Sequence, residues 1–316
     1  MKNKKSSSLG ILLFIVAACG GSGVIPEAPI DPPSVAPTNA PSPTERVGPA
    51  VDLSDTQIIS TENVTRLEVL DEYLGHTDFI LSSQFTLGDK LFASSSADGT
   101  VRLWSRSTGS EIATLSLAPE AWGVTFSPDG RILAAGESDK TIRLWDVGTG
   151  NEIAKLEGHA WGVVSVAFHP NAPLLASGAR DETIRIWELT TFTDTALYRG
   201  HQGDIGDVEF DPSGTYLASA SADKSVIIWD VETGERVSIL LGHTSAVNNV
   251  EYNPDGSLLA TSSGDIDTDP SIIIWDIASG EQIAQLSGHK GSVWSMALNP
   301  DGSMLASTGA DGVIRI

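Results

Sequence analysis

The stretch that decides the fold is residues 158–187, GHAWGVVSVAFHPNAPLLASGARDETIRIW. It holds three short runs, Val163–Phe168, Leu174–Ser177 and Thr183–Trp187, separated by turn residues. Apolar and polar side chains alternate within these runs, and alternation over so few residues predicts short β-strands. A fourth run of the same kind, such as Glu152–Leu156, follows a Thr-Gly or Ser-Gly turn in most units.

This stretch belongs to a repeat that runs along most of the chain. Tryptophans lie at positions 104, 145, 187, 229 and 275, and Gly-His pairs end at positions 76, 159, 201, 243 and 289. In one unit Ala118-Pro119 stands where a Gly-His pair is expected. Four short strands in each unit of about 42 residues, with no helical segment, are typical of the blades of a β-propeller.

The residues at the repeated positions resemble those of the WD-repeat (WD40) family. The resemblance rests on Gly158-His159, Asp181 and Trp187-Glu188, and on the matching set in the next unit, and it covers about Leu67 to Ile316. It implies an all-β fold, a β-propeller of four-stranded antiparallel blades over residues 58–316. It also implies a platform for protein or peptide partners, with no catalytic residues of its own.

A serine-hydrolase triad of Ser177, His159 and Asp181 is the competing interpretation of the polar residues. The set recurs as Ser219, His201 and Asp223, whereas an active site is needed once. The family resemblance assigns these residues a structural, hydrogen-bonding role in each blade. Since the sequence has no zinc-ligand spacing, phosphate loop or nucleophile elbow, we expect no enzyme activity and no cofactor.

The number of blades stays open between six and seven. Six sets of three strands begin near Ile80, Trp122, Val163, Ile205, Val247 and Val293. An additional strand, Arg66–Tyr73, has the position of a blade's outermost strand, and we expect it to close the ring by pairing with the last blade. If six blades suffice, it pairs with Gly312–Ile316. Seven is favoured because the sequence stops mid-strand, one residue before the next repeat tryptophan, which predicts C-terminal truncation, and because the family most often has seven.

Residues that differ from the repeat pattern are the candidates for partner binding. Trp122 and Trp294 occupy equivalent places near the start of the innermost strand, where the other units have Leu81, Val164, Gly206 and Asn248. Strand parity puts both tryptophans on the side of the core residues, so packing between blades and exposure at the channel rim are equally good interpretations. Trp161 and Arg180 lie in loops that open on the upper face in this family, and exposed Trp and Arg are enriched at interface hot spots. The candidate residues are Trp122, Trp161, Arg180, Asn248 and Trp294.

A third departure is an expansion of the fifth unit by four residues. Asp269 keeps the spacing to Trp275 and is expected to take the structural aspartate role. Asp265 and Asp267 are then surplus, and they are weak candidates for calcium ligands, because the loop lacks the full pattern of a calcium-binding loop. A solvated acidic loop is the favoured interpretation.

The first 57 residues predict export and anchoring. Residues 1–18 combine three lysines with an apolar run, which is the layout of a secretory signal. Val16-Ala17-Ala18-Cys19 resembles a bacterial lipobox, which implies lipidation of Cys19, the only cysteine. An ordinary signal with a free cysteine is the alternative. Residues 19–57 hold eight of the 16 prolines and predict a disordered linker.

Charge narrows the class of partner. The chain has 41 acidic and 19 basic side chains, a formal charge of −22, which repels nucleic acid. We therefore expect an extracytoplasmic platform, tethered to the bacterial membrane or envelope by a lipid only, that binds a protein or peptide. The alternative is an enzyme or small-ligand receptor that uses the central channel, whose predicted mouth (Leu81, Trp122, Val164 and Gly206) is too apolar to favour it.

Replacing Cys19 by Ser removes the thiol that a lipobox presents for acylation. We expect the Cys19→Ser protein to be released from membranes or left unprocessed. Metabolic labelling with a clickable fatty acid measures the modification directly, and wild-type protein that is unlabelled and fully soluble would contradict the lipidation.

Overall fold

The computed structural model describes residues 72–86, 90–117, 120–264 and 271–316, and these fold entirely as strands and their connections. The strands are β1 (Ile80–Phe85), β2 (Leu91–Ser96), β3 (Thr100–Ser105), β4 (Glu111–Ser116), β5 (Ala121–Phe126), β6 (Ile132–Glu137), β7 (Thr141–Asp146), β8 (Glu152–Glu157), β9 (Val163–Phe168), β10 (Leu174–Ala179), β11 (Thr183–Glu188), β12 (Thr193–Arg199), β13 (Ile205–Phe210), β14 (Tyr216–Ser221), β15 (Ser225–Asp230), β16 (Arg236–Leu241), β17 (Val247–Tyr252), β18 (Leu258–Ser263), β19 (Ser271–Asp276), β20 (Glu281–Ser287), β21 (Val293–Leu298), β22 (Leu305–Gly309) and β23 (Ile314–Arg315). Within these ranges there is no apolar helix of the length that crosses a bilayer.

The strands form six antiparallel sheets, each built from strands that follow one another in the chain. Five sheets have four strands and the sixth, β21–β23, has three. The all-β fold and the six blades are confirmed, and five of the six predicted strand sets begin at the predicted residue. We number the blades 1 to 6 in chain order, and the first strand of each is its inner strand.

The hydrophobic core lies between the blades. Five clusters of buried residues each combine side chains from two consecutive blades, so that every seam from blades 1 and 2 to blades 5 and 6 has its own core. Close approach at these seams requires small residues. A Cβ added at Gly136 would lie 2.8 Å from Val163 Cγ1, and one at Gly178 would lie 2.5 Å from Ile205 Cγ2.

A hydrogen-bonded set of Trp, Ser, His and Asp connects the strands within a blade, as the family resemblance implies. In blade 3, Trp187 Nε1 donates to Ser177 Oγ over 2.8 Å, and Ser177 Oγ lies 2.8 Å from His159 Nε2. His159 Nδ1 is 3.0 Å from Asp181 Oδ2. Blades 1 and 4 repeat the set. Because each member is buried and paired, deleting one costs about 1–3 kcal/mol of stability.

The same set holds its aspartate ionised. Burial by itself raises the pKa of Asp223, but hydrogen bonds from Ser225, the Gln202 amide and His201 outweigh it and bring the pKa to about 2. Burial lowers the pKa of His201, so its ring is neutral at pH 7. The hydrogen-bond pattern then places the ring proton on Nδ1, facing Asp223.

Blade 5 shows only part of the set in the described residues. His243 Nε2 bonds Thr261 Oγ1 over 2.6 Å, but among the described residues the buried His243 Nδ1 has no hydrogen-bond partner. Burial lowers the pKa of His243 to about 4. Asp269, predicted to fill this role, lies outside the described residues.

In blade 2, Ala118-Pro119 is predicted to replace the Gly-His pair, and both residues lie outside the described residues. The spacing from the repeat tryptophan places the histidine position one residue earlier. In blades 1, 3 and 4 the histidine stands 28 residues before the tryptophan, and the same count from Trp145 gives Leu117. Leu117 and Ala135, which replaces the serine, are buried in one cluster with Trp145. Replacing the histidine and the serine together by apolar groups avoids leaving either one buried without the other, so the substitution of this pair costs less than the loss of one partner.

Blades 1 and 6 are packed less completely than the others. Ile80, which begins β1, is 43 % exposed, whereas its equivalents in blades 2 to 6 are at most 1 % exposed. Leu305 and Ala306 on β22 are half-buried, although their equivalents in blades 2 to 5 are buried. The inner strands of consecutive blades, from β1 to β21, pack side by side. Among the described residues, β21 does not pack in this way against β1, and no buried cluster combines blade 6 with blade 1.

The predicted closing strand Arg66–Tyr73 is described only at its last two residues, which have no strand assignment. Tyr73 packs its ring 5.5 Å from that of Trp104, as Tyr198 of blade 3 packs 5.4 Å from Trp229 of blade 4. Within the described part, β23 has no outer neighbour.

Candidate upper-face binding site

Each inner strand carries a β-bulge just after its first residue. The extra residues in these bulges are Leu81, Trp122, Val164, Gly206, Asn248 and Trp294. A bulge interrupts the alternation of side chains between the two faces of a strand. The parity argument for Trp122 and Trp294 is therefore wrong. In blade 6, Trp294 is 49 % exposed, whereas Val293 and Met296 on either side are buried.

The five candidate residues do not form a single site. Asn248 uses its side-chain amide within the fold, because Nδ2 donates to the carbonyl oxygens of Val293 and Gly264 over 3.0 and 3.3 Å and so connects blades 5 and 6. Trp294 lies alone on blade 6, with no ring contact or hydrogen bond of its side chain among the described residues. The structure brings Trp122 and Arg180 together, and Trp161 directly precedes Gly162, which the Trp122 ring contacts.

Trp122 and Arg180 form a stack across the seam between blades 2 and 3. The guanidinium carbon of Arg180 lies 4.1 Å from the centroid of the Trp122 ring. Trp122 Nε1 donates to Glu120 Oε2 over 3.0 Å, which fixes the ring in its own plane. The ring also lies against Gly162, where an added Cβ would come within 2.5 Å of Cζ3. The half-buried tryptophan is thus a rigid base for the arginine.

Trp161 stands beside this stack and is 64 % exposed. Lys140 Nζ lies 5.7 Å from the centroid of its ring. Lys140 adopts a φ of +79° in the β6–β7 turn, directly after the structural aspartate Asp139. Sequence reasoning missed Lys140, because a lysine in a turn looks like an ordinary solvated residue. We call Glu120, Trp122, Lys140, Trp161, Gly162 and Arg180 the tryptophan–arginine cluster.

The Arg180 guanidinium is oriented without being hydrogen-bonded. Its nearest carboxylate is Asp204, whose Oδ2 lies 3.8 Å from Nε, beyond hydrogen-bond distance. Within the described residues Arg180 makes no side-chain hydrogen bond, and more than half of its side chain is exposed. A planar fork of donors therefore faces solvent from a fixed position.

A second group of polar residues, which the sequence analysis also missed, lies on the inner strands. The carboxylates of Asp207, Glu209 and Glu251 accept backbone N–H groups from the inner strand of the following blade, those of Val250, Tyr252 and Leu298. The sequence signal is the alternate polar positions of IGDVEF in β13 and VNNVEY in β17. These side chains connect neighbouring blades.

Burial disfavours the ionised form of these three carboxyl groups. It raises the pKa of Asp207 to about 6 and that of Glu251 to about 8. Burial, and then the charge of Glu251, raises the pKa of Glu209 well above its ordinary value. The three groups therefore stabilise the fold most when they are protonated.

The Ser177–His159–Asp181 chain has the connectivity of a hydrolase triad but not its accessibility. Ser177 is 0 % exposed, and its oxygen already accepts the Trp187 Nε1 proton. A nucleophile must reach a substrate carbonyl, and this hydroxyl has no path to one.

No group of three or more His, Cys, Asp or Glu side chains in the described ranges has a metal-binding arrangement. Asp265 and Asp267 lie outside those ranges.

The repeat geometry and the Trp-Ser-His-Asp sets agree with a comparison against protein families. The family described as WD domain, G-beta repeat (WD40) matches six segments, residues 67–105, 109–146, 150–188, 192–230, 234–276 and 280–316. The chain belongs to this family. WD40 propellers typically serve as protein-interaction platforms and are typically non-catalytic. A comparison with curated proteins found no match.

The second to fifth WD40 matches each begin just before the outer strand of one blade and end in the third strand of the next. The first match begins at residue 67 and so includes all but the first residue of the predicted strand Arg66–Tyr73.

The raised pKa of Glu251 predicts a pH-dependent stability. Because the folded-state pKa is about 8 and the ordinary value is 4.5, the contribution is fully present below about pH 4.5 and is lost as the pH rises through 8. Glu251→Gln keeps the acceptor oxygen and removes the titration; Gln84 in blade 1 already accepts the Phe126 N–H from the equivalent position.

We expect Glu251→Gln to match the wild type at pH 5 and to be about 1–3 kcal/mol more stable at pH 9 in urea denaturation. The exposed Glu157→Gln is the control and should show no such difference. A Glu251→Gln effect that is the same at both pH values would contradict the assignment.

Proposed function

We propose that this WD40 propeller is a lipid-anchored, extracytoplasmic platform that binds a protein or peptide partner through its upper face. The upper face is the side of the blades that carries the turns between second and third strands and the loops leading into the inner strands. The observation that carries the proposal is the exposed Trp161 beside an Arg180 held in place by Trp122.

Rigid aromatic and arginine side chains favour binding, because they offer a large contact area and lose little conformational entropy when a partner docks. Trp161 has no aromatic equivalent in the other blades, and Arg180 replaces Ala97, Ser138, Ala222 and Ala310. A buried role does not account for Trp161, since most of its surface is in contact with solvent.

The anchor and the spacer rest on the sequence alone. Cys19 and residues 19–57 lie outside the described residues. Acylation at Cys19 would tether the platform, and a proline-rich linker of this length, at about 3.1 Å per residue when extended, would hold it up to roughly 120 Å from the membrane.

An enzyme or a small-ligand receptor in the channel is less favoured. The carboxylates that converge on the inner strands, Asp207, Glu209 and Glu251, each accept a backbone N–H from the next blade, so a ligand would have to compete with the fold for them.

Capture of partners tests the platform. The mature wild-type domain should retain a specific protein from membrane extracts, and replacing Trp161 and Arg180 by Ala should weaken binding by at least about 2 kcal/mol with little change in the melting temperature. Ile283→Ala, at an exposed position on the outer strand β20, is the control and should leave binding unchanged. A large fall in melting temperature with unaltered affinity would mean that Trp161 and Arg180 are packing residues.

We also propose that the complete ring has a seventh blade. The exposed Ile80 at one end of the array and the half-buried Leu305 and Ala306 at the other support it, because the equivalent residues of interior blades are buried against a neighbour. Sheet faces of this kind are stable when another blade covers them.

The coding DNA downstream of Ile316 tests the seventh blade. We expect it to continue with Trp, the rest of the sixth blade, and a further unit with a Gly-His pair. In that longer protein, Ile80→Asp should lower stability by about 2 kcal/mol or more, since it would bury a charge, whereas in the 316-residue chain it should have little effect. An immediate in-frame stop codon would overturn the proposal.

A further inference from the structure

We infer that the tryptophan–arginine cluster recognises a peptide segment in which a carboxylate lies next to an apolar side chain. The inference rests on the proposed function and adds the chemistry of the partner. Arg180 would take the carboxylate, and the exposed face of Trp161 would take the apolar side chain.

Arg180 differs from three other arginines that lie on the third strands of their blades. Arg102 and Arg185 pair with Glu111 and Asp194 on the neighbouring outer strand, and Arg143 pairs with the buried Glu137 over 3.2 Å. Those three guanidinium groups are occupied within the fold. Arg180 has only Asp204 at 3.8 Å, so its donors remain available to a ligand.

The stack on Trp122 determines which ligand fits. A guanidinium that lies over an aromatic ring directs its N–H groups outward in the plane of the group. A carboxylate is a planar acceptor with two oxygens and forms two parallel hydrogen bonds with such a fork. Because Trp122 is itself held by Glu120 and Gly162, the guanidinium is placed before the ligand arrives, which lowers the entropy lost on binding.

The second contact is apolar. Trp161 is one residue from Gly162, against which the Trp122 ring lies, and the Gly162 carbonyl oxygen accepts the Arg180 backbone N–H, so Trp161 and Arg180 lie in neighbouring loops and one peptide segment would contact both. Lys140 Nζ, which lies over the Trp161 ring at 5.7 Å from its centroid, adds a second positive charge to the same surface and leaves the other face of the ring to the apolar side chain. A free carboxylate ion would use only part of this surface, whereas a peptide carries both chemistries on adjacent side chains.

The charge of the whole protein limits how acidic the partner is. A formal charge of −22 repels a polyanion at long range, and Asp204 and Glu120 lie within or beside the cluster. One or two carboxylates that are held at short range by Arg180 and Lys140, and accompanied by apolar contact, suit this environment better than an acidic run.

A displayed library of random peptides, sorted on the purified protein, tests the inference. We expect the selected peptides to contain Asp or Glu next to an apolar residue. Selection of peptides without Asp or Glu, or failure to select any peptide while anionic vesicles or oligosaccharides bind, would overturn it. The capture of a partner protein from membrane extracts would still test the platform separately.

Variants then locate the contact for one selected peptide. Arg180→Gln and Arg180→Lys should each weaken binding at least about tenfold, because both remove the fork of donors. Asp204→Asn should tighten it, since it removes the competing carboxylate. Lys140→Gln should weaken it a few-fold, whereas Lys224→Gln should not; Lys224 has the equivalent turn in blade 4, with a φ of +76°.

Unchanged melting temperatures confirm that these variants fold. Equal affinity for the selected peptide and for its Asp→Asn or Glu→Gln counterpart would overturn the carboxylate contact, and so would Asp204→Asn binding that is weaker than that of the wild type.

Discussion

The packing of one sheet face against the next is the interaction on which the rest of this structure depends. A blade of four short strands cannot bury its apolar residues alone, so each core cluster forms at a seam and combines two blades. Close contact at the seams selects small residues such as Gly136 and Gly178 opposite Val163 and Ile205. The same constraint explains why Ile80, against which no blade packs within the part of the chain that the structure describes, is exposed.

Polar groups inside the propeller follow from that packing. Since the seams are close, the buried Trp, Ser, His and Asp must satisfy one another, and the inner strands must find acceptors in the neighbouring blade. Blade 2 replaces the histidine and the serine together, by Leu117 and Ala135, and the seam stays filled. Replacing only one of the two would leave the other without its hydrogen-bond partner.

The candidate binding residues occur where one blade has a residue that differs from those at the equivalent position of the other blades. The tryptophan–arginine cluster takes Trp122 from a bulge of blade 2 and Arg180 from a turn of blade 3. Their stack exists because the seam brings the bulge of one blade under the turn of the next, and because Gly162 leaves space for the ring.

The sequence by itself determined the strands, their antiparallel order, the turns and the Trp-Ser-His-Asp sets, because each depends on residues within one unit and recurs at a fixed spacing. It also identified Trp161 and Arg180 as departures from the repeat. Only the tertiary structure decided that the bulges redirect Trp122 and Trp294, that Asn248 bonds the next blade, and that Lys140 joins Trp161. Those contacts cross between blades or depend on a bulge, and period-two alternation carries no information about either.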